Sequence, residues 1–295
     1  IADAAALAIE TPVGMVVHTG DFKVDYTPAD AEPIDFHRLA DLGSKGVLLM
    51  MADSTNAERK GFTLSEKTVG VNLENIFRNV KGRIIIATFA SNVHRVQAIV
   101  DAAAKFDRKV AISGRSMLNV VNVATELGYL HIPKKLLVDL SKIKSVDEDK
   151  IVIITTGSQG EPMSALARMA SSEHKSVQIK KGDTVILSSS PIPGNEKTIT
   201  NVVNKLFEKG AEVIYSDLAD IHVSGHACEE ELKLMHSLIR PKYLIPVHGE
   251  YKHLRQHSLI AENLGMPKEN IFILEAGKVL ELKSNSAQIA SKSVP

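Results

Sequence analysis

The chain has 295 residues, of which 44% are hydrophobic, so it can bury the core of one large domain or two ordinary ones. Its 35 basic and 35 acidic residues cancel, which argues against a globally basic nucleic-acid binder but allows a local basic groove or a metal-neutralised site. The single cysteine, Cys228, excludes intramolecular disulfides and cysteine-based zinc clusters and suits a reducing cytoplasm, and no apolar run approaches the roughly 18 residues of a membrane span.

Before residue 65, two apolar segments run into polar loops. Residues 15–18 predict a strand that leads into TGDFKVD, and the fully apolar residues 47–51 predict a buried strand that ends at ADSTNAE. Asp21 and Asp53 therefore follow strands. Either aspartate could be a plain turn residue that hydrogen-bonds its own backbone, or part of a site. Residues 4–10 fit a helix or an edge strand.

From residue 65 onward, predicted strands and helices alternate. Helices are expected at 67–79, 93–105, 117–127, 161–170 and 196–209, and strands at 83–88, 109–113, 151–155, 184–188 and 213–215. This alternation predicts a mainly parallel sheet with helices on both faces. Substrate is then expected at the loops that follow the carboxyl ends of the strands.

Two of those loops could bind phosphate. In ATFASNVHR, Ser91, Asn92 and the amides that open the next helix could hold a phosphate group, or Ser91 or Asn92 could be an ordinary helix cap that needs no ligand. TTGSQGEP places two glycines between a strand and a helix. It lacks the Lys-Ser/Thr of a P-loop, so its indication of nucleotide binding is weak.

Residues 220–250 contain the greatest concentration of candidate functional side chains, because two histidine-bearing loops bracket one helix and one strand. HVSGHA places His222 and His226 four residues apart, ahead of an amphipathic helix predicted at 229–239. A short apolar strand at 243–247 then leads to His248. A helix–strand hairpin would bring His226 and His248 to the same end of a sheet. Each could equally be a structural histidine with a satisfied hydrogen bond.

The remaining chain predicts one helix at 252–263 and a hairpin formed by strands at 270–275 and 279–282. The Ser- and Ala-rich residues 284–295 predict a linker.

The segments HTGDFKVD, DSTNAE, SNVH, HVSGHA and PVHGE resemble motifs of the metallo-β-lactamase superfamily, of its β-CASP nuclease branch and, within that branch, of the ribonuclease J family. The resemblance implies an α/β fold in which a metallo-β-lactamase αββα sandwich is interrupted by an inserted β-CASP domain with a mainly parallel, Rossmann-like sheet. The implied domains are 1–64 (first metallo-β-lactamase part), 65–221 (β-CASP), and 222–295 (second part and the start of a C-terminal linker).

The same resemblance implies roles for particular residues. Asp21 and His248 would be ligands of two zinc ions, His226 the general acid, and Asp53 the acid that holds a catalytic histidine in its useful tautomer. The substrate-binding residues implied are Ser91, Asn92, Val93, His94, His222, Val223, Ser224, Gly225 and His226.

The implied function is a cytoplasmic, zinc-dependent ribonuclease that cleaves RNA phosphodiesters as an endonuclease and a 5′–3′ exonuclease in RNA processing and decay. Its partners would be 5′-monophosphorylated single-stranded RNA and further copies of itself, as a dimer or tetramer, with no membrane. Arg95, Arg115 and Lys197 are candidate basic residues on the rim of an RNA cleft. Two alternatives are a non-catalytic RNA-binding or interaction subunit and a hydrolase of small esters or thioesters, against which the inserted α/β domain argues.

The superfamily's principal metal motif, His-x-His-x-Asp-His, does not occur in this sequence. We therefore expect these residues to be a piece of a longer enzyme and to be inactive alone. We also expect uncovered apolar surface beside Val16, Leu48 and Ile245.

Overall fold

The computed structural model describes residues 4–29, 32–192, 194–215 and 221–294. The chain forms two compact units. The first unit is built on residues 65–223, and the second combines most of the chain before residue 65 with the chain from residue 224 onward. Within the described ranges, no helix is both long enough and apolar enough to cross a bilayer.

The strands and helices follow in chain order. The strands are β1 (Leu7–Thr11), β2 (Gly14–His18), β3 (Val47–Asp53), β4 (Ile84–Ala87), β5 (Lys109–Ser113), β6 (Ile151–Thr155), β7 (Thr184–Leu187), β8 (Glu212–Ile214), β9 (Tyr243–Val247), β10 (Leu280–Lys283) and β11 (Ser286–Ile289). The helices are α1 (Phe36–Lys45), α2 (Glu66–Asn79), α3 (Val93–Lys105), α4 (Arg115–Glu126), α5 (Ala165–Ala170), α6 (Glu196–Glu208), α7 (Glu229–Ile239) and α8 (Tyr251–Asn263). Short 3₁₀ helices span Leu140–Ser145, Glu148–Lys150 and Lys268–Asn270.

The first unit contains one five-stranded parallel sheet in the order β5-β6-β4-β7-β8. Because side chains alternate along a strand, Ile84 and Ile86 of β4 pack in one core with α2, α3 and α4, and Ile85 and Ala87 pack in another with α5 and α6. Both faces of the sheet are therefore covered, which explains why its strands are continuously apolar. The predicted α/β fold class is confirmed.

The second unit contains a four-stranded sheet in the order β1-β2-β3-β9. β1 and β2 form an antiparallel hairpin, whereas β2, β3 and β9 run parallel. Met50 of β3 packs in a core with α1, α7 and α8 on one face. On the other face, Leu48 and Ile245 are only 7% and 6% exposed, because Phe272 and Leu282 belong to the cluster that covers them. The expectation of uncovered surface is therefore wrong for Leu48 and Ile245, while Val16 is half-buried and packs against the same cluster.

Several local structures differ from the expectations, and one helix was not expected. The partner of β10 is β11 rather than residues 270–275, so the linker expected at 284–295 contains a strand. Phe272 instead donates its amide to the carbonyl of Leu244 beside β9. Helix α1, which the sequence analysis missed, is capped by the Asp35 side chain. Helix α5 begins at Ala165 rather than at 161 because Ser164 caps it there.

The two glycines of TTGSQGEP are explained by packing. A Cβ on Gly157 would lie 2.3 Å from the Ser164 hydroxyl oxygen, and one on Gly160 would lie 2.6 Å from the backbone of Thr198. Both glycines also have positive φ, at 106° and 72°. The loop therefore needs glycine for its own turns and contacts, without reference to a phosphate.

Candidate metal and histidine site

Three adjacent parallel strands of the second unit deliver the candidate site. β3 and β9 run side by side with Asp53 opposite Val247, so β9 brings His248 to the position immediately beyond that pair. β2 lies on the other side of β3 and leads into Asp21, three residues past its last residue. Carboxyl ends of parallel strands are where α/β sheets place ligands.

Asp21, His226 and His248 converge beyond these strand ends. Each offers one potential ligand atom, and the three atoms lie within 4.8 Å of one another. His248 Nε2 is 3.7 Å from Asp21 Oδ1, and the rings of His226 and His248 meet edge to face with centroids 5.2 Å apart. The structure thus brings the two predicted metal ligands and the predicted general acid together.

The Asp53 side chain fixes the His226 ring. His226 Nδ1 lies 2.7 Å from Asp53 Oδ2, while the amide and hydroxyl of Thr55 donate to Asp53 Oδ1 at 2.9 and 2.8 Å. Burial raises the pKa of Asp53, but these hydrogen bonds outweigh it and hold that pKa below its ordinary value. The hydrogen bond to Asp53 raises the pKa of His226, although partial burial of the ring lowers it. Since Nδ1 donates to the carboxylate, Nε2 is the ring nitrogen left for other chemistry.

His248 sits on a strained turn. Its φ is 58°, in the left-handed region that few residues other than glycine adopt, and Gly249 follows with φ 133°. A Cβ on Gly249 would approach the His253 side chain to 3.0 Å. The amide of Ser54 donates to the His248 carbonyl at 3.3 Å, which ties this turn to the end of β3. Such strain costs about 1–3 kcal/mol and clusters at functional sites.

Asn56, to which the sequence analysis gave no role, organises the loop that carries His226. Its Nδ2 donates to Ser224 Oγ at 2.7 Å and to the His226 carbonyl at 2.9 Å. Ser224 Oγ also accepts from the His226 amide at 3.1 Å. With both lone pairs of Oγ engaged, the Ser224 hydroxyl proton is left to donate. Gly225, between Ser224 and His226, is half-buried.

In the first unit, Asn92 serves as the N-cap of α3. Its Oδ1 accepts from the Arg95 amide at 3.1 Å, and the Val93 amide donates to the Ser91 carbonyl at 3.1 Å. The capping alternative therefore accounts for Asn92. Ser91 is exposed at the start of the helix.

The other predicted substrate-binding residues of this unit differ in burial. His94 and His222 are half-buried, whereas Val223 is 6% exposed and packs in the hydrophobic core. The Val223 side chain is therefore a core side chain, which leaves only its backbone for a ligand.

Arg95 is not a rim residue. It is fully buried, forms an ion pair with Glu66, and donates through Nη1 to the Ile221 carbonyl at 2.8 Å. Its guanidinium therefore ties internal segments of the first unit together. Arg115 and Lys197 are exposed, as a rim position requires.

A second histidine pair, which the sequence analysis also missed, lies inside the second unit. Ser54 Oγ is 2.9 Å from His257 Nδ1, and His257 Nε2 is 3.0 Å from His236 Nε2. Burial lowers the pKa of His257 to about 3 and that of His236 to about 4. The Ser54 hydroxyl donates its proton to the Ala52 carbonyl at 3.2 Å, so Ser54 Oγ can accept a hydrogen bond from His257 Nδ1–H. His257 Nε2 is then unprotonated and can accept a hydrogen bond from His236 Nε2–H. Both rings are thus neutral.

Of the two clusters, only the first has a donor set suited to zinc. One carboxylate and two imidazoles are zinc ligands in catalytic sites, which take three protein ligands and leave a further position open. Asp21 and His248 supply one carboxylate and one imidazole of such a set, and His226, which Asp53 orients, lies beside them. The residues present therefore fit a divalent metal.

Two family models match the chain. The ribonuclease J β-CASP domain matches residues 81–206, and the zinc-dependent metallo-hydrolase RNA specificity domain matches residues 211–274. Together with the α/β fold, they place the chain among the β-CASP metallo-hydrolases. Ribonuclease J of Synechocystis sp. is 47% identical over 292 residues, and ribonuclease J 1 of Streptococcus pyogenes is 48% identical over 290. The chain therefore matches the β-CASP domain of ribonuclease J and is similar to ribonuclease J proteins over nearly its whole length.

These alignments cover 99% and 98% of this chain but 46% and 52% of the two relatives, so the chain spans about half the length of the curated relatives that it matches. Among solved structures, a protein of unknown function from Enterococcus faecalis superposes with a TM-score of 0.57 at 14% identity. That superposition covers 97% of this chain and 60% of the other, and it supports the fold alone.

Proposed function

We propose that the protein containing this chain is a zinc-dependent ribonuclease that hydrolyses RNA phosphodiester bonds, both internally and from a 5′ end. The observation that carries the proposal is the Asp53–His226 pair, which stands beside Asp21 and His248 at the ends of three parallel strands. A carboxylate-oriented imidazole next to a metal-ligand cluster suits metal-assisted phosphodiester hydrolysis.

Asp21 and His248 are the proposed metal ligands. Zinc, when bound, would supply Lewis-acid stabilisation of the negative charge that develops on the phosphate. The carboxylate of Asp21 and the imidazole of His248 would hold the metal and so determine where that negative charge is stabilised.

His226 is the proposed general acid. The Nδ1 proton of His226 is donated to Asp53, and the raised pKa of His226 favours a second proton on Nε2. As water adds to phosphorus and releases its own proton to solvent, the proton on His226 can pass to the RNA oxygen that leaves. After the transfer the ring is neutral, still held by Asp53, and is reprotonated from solvent.

RNA contacts are proposed for Ser91, Asn92, Val93, His94, His222, Val223, Ser224, Gly225 and His226. Within the second unit, the Ser224 hydroxyl proton is available to a phosphate oxygen because Asn56 and the His226 amide occupy its lone pairs. The assignments in the first unit rest on the family motifs.

The wider proposal follows the family. Residues 1–64 and 222–295 would form the metallo-β-lactamase part, and residues 65–221 the β-CASP part. The substrate would be 5′-monophosphorylated single-stranded RNA, the protein would be a homodimer or homotetramer, and it would act in the cytoplasm.

The test uses the full-length protein with Asp21→Asn, His248→Ala and, as a control, His37→Ala, since His37 is an exposed histidine of the same unit. Bound zinc is measured by elemental analysis, and cleavage is measured on matched RNAs with a 5′ mono- or triphosphate. Loss of zinc and cleavage in the two site variants, with the control unchanged, is expected. RNA binding without cleavage in the wild type would favour the non-catalytic alternative instead.

A further inference from the structure

Glu231 is a buried carboxylate with an unusual number of hydrogen-bond donors. It lies in the first turn of α7 and is fully buried. Its Oε1 accepts from the Val24 amide at 2.6 Å. Its Oε2 accepts from the Thr63 amide at 2.7 Å, the Thr63 hydroxyl at 2.7 Å and the Cys228 amide at 2.8 Å. Four donors offset the cost of burying an ionised carboxylate.

Helix capping explains only one of these bonds. As the third residue of α7, Glu231 reaches back to the Cys228 amide in a capping box. The bonds to Val24 and Thr63 come from segments far away in sequence. The neighbouring Glu229 and Glu230 show the ordinary alternative, because each pairs with Lys233 at 2.7 Å near the surface.

The segments that Glu231 joins are those that carry the site. Val24 lies three residues after Asp21 in an irregular loop, and Cys228 lies two residues after His226 in another. The Thr63 hydroxyl is 2.9 Å from the His226 carbonyl as well as 2.7 Å from Glu231, so Thr63 packs against both. Neither loop belongs to the sheet, and each donates a backbone amide to this carboxylate.

We infer that Glu231 is a positioning residue, which holds the Asp21 loop and the His226 loop at one separation and so sets the geometry of the metal-ligand cluster. The inference rests on the proposed function for its catalytic consequence. Its structural content, the coupling of two loops through one carboxylate, is independent of any activity.

The chemistry of the carboxylate predicts an asymmetric defect in Glu231→Gln. A glutamine has one acceptor oxygen, and three of the four donors lie on the Oε2 side. If the amide oxygen serves those three, its NH₂ faces the N–H of Val24, and two donors oppose each other. The Asp21 loop is then released first, while the His226 loop keeps its bonds.

Thr63 supplies a matched pair of variants. Thr63→Val keeps the shape but removes the hydroxyl that reaches Glu231, whereas Thr63→Ser keeps that hydroxyl. Glu230→Gln is the control, because it makes the same chemical change one residue away on a side chain that contacts Lys233.

The experiment compares these variants in the full-length, zinc-loaded protein by amide hydrogen exchange, zinc retention against a chelator, and kcat and KM on RNA. Glu231→Gln should speed exchange selectively over residues 22–26. It should also weaken zinc retention by about 10–100-fold, as loss of a group that orients metal ligands does, and lower kcat with little change in KM. Thr63→Val should disturb residues 224–228, Thr63→Ser should restore wild-type behaviour, and Glu230→Gln should match the wild type.

Wild-type exchange in both loops of Glu231→Gln, or a uniform increase across the whole unit, would overturn the inference, since the first denies coupling and the second indicates only lost stability. If Glu231→Gln does not fold, the Thr63 pair decides, and equal behaviour of Val and Ser variants would contradict the inference. Selective loosening in a protein whose wild type does not cleave RNA would overturn the proposed function and leave the positioning role intact.

Discussion

Two histidine pairs in the second unit have the same ring separation and opposite properties. His226 and His248 have ring centroids 5.2 Å apart, as do His236 and His257. The pKa of His226 is raised, whereas those of His236 and His257 are lowered. Ring spacing therefore does not decide whether a histidine pair is chemically active.

The pKa shifts of the two pairs differ because the hydrogen-bond partner and the degree of burial differ. Asp53 offers His226 a carboxylate, while the next residue, Ser54, offers His257 a hydroxyl. A carboxylate stabilises the imidazolium, but a hydroxyl does not offset the loss of water around a fully buried ring. Two adjacent residues at the end of one strand thus separate a candidate acid from a neutral structural pair.

The largest expected effect is on the His226 side. In the full-length protein, His226→Ala should lower the RNA cleavage rate by about 10²–10⁴-fold, because it removes the proposed general acid. Zinc content should be preserved, since the proposed ligands Asp21 and His248 remain. Single-turnover cleavage and elemental analysis on the same samples measure both.

A variant that loses zinc and regains cleavage at high zinc would make His226 a ligand instead. The potential ligand atom of His226 lies within 4.8 Å of those of Asp21 and His248, so a role as metal ligand is geometrically feasible.

The buried pair should respond in stability rather than in chemistry. His257→Ala leaves Ser54 Oγ and His236 Nε2 without their partner, which should cost about 1–3 kcal/mol of unfolding free energy, beyond the cavity term. Urea denaturation measures this. Cleavage per folded molecule should fall far less than in His226→Ala, and an equal fall would abolish the contrast between the pairs.

The sequence predicted the carrier strands well because their signals are local. The apolar run at 47–51 and the one at 243–247 are strands β3 and β9, and their ends carry Asp53 and His248. The family motifs supplied Asp21 and His226. Parallel strands place their carboxyl ends together, so convergence of these residues was foreseeable without coordinates.

The features that the sequence did not predict depend on partners that are distant in sequence. Glu231 resembled Glu229 and Glu230 as one more acid at a helix start, and only the fold shows that it alone turns inward. His257 lay on a predicted amphipathic helix with no local sign that Ser54 would meet it, 203 residues away. The β10–β11 hairpin was misplaced because the Ser- and Ala-rich 286–289 segment is a weak strand former that pairing stabilises.

His226 and His236 should also give opposite pH slopes of stability. His236, with an ordinary pKa of 6.5 and a folded pKa of about 4, binds a proton in the unfolded chain before it does so in the folded chain. Its contribution to stability is therefore fully present above pH 6.5 and is lost as pH falls toward 4. For His226, whose folded pKa is raised, the contribution is present below 6.5 and is lost as pH rises through the folded value.

The measurement is urea unfolding of wild type and His236→Gln between pH 7 and 4. Removing one titrating histidine should make the acid-side slope shallower by up to about 1.4 kcal/mol per pH unit. Parallel pH curves for the two proteins would mean that His236 is protonated alike in both states.

The smallest expected effects distinguish two serines, one from each cluster. Ser224→Ala removes a hydroxyl whose proton is available to a phosphate, so RNA affinity should fall by about 3–10-fold, the worth of one hydrogen bond, with little change in the chemical step. Ser54→Ala removes the partner of the buried His257 and should cost about 1–3 kcal/mol of stability while RNA affinity is unchanged. Affinity by filter binding with uncleavable RNA and stability by urea unfolding are measured on both variants. Each serine variant is the control for the other. If Ser224→Ala lost as much stability as Ser54→Ala, Asn56 would need Ser224 to hold the His226 loop. The Ser224 hydroxyl would then keep the loop folded rather than bind phosphate.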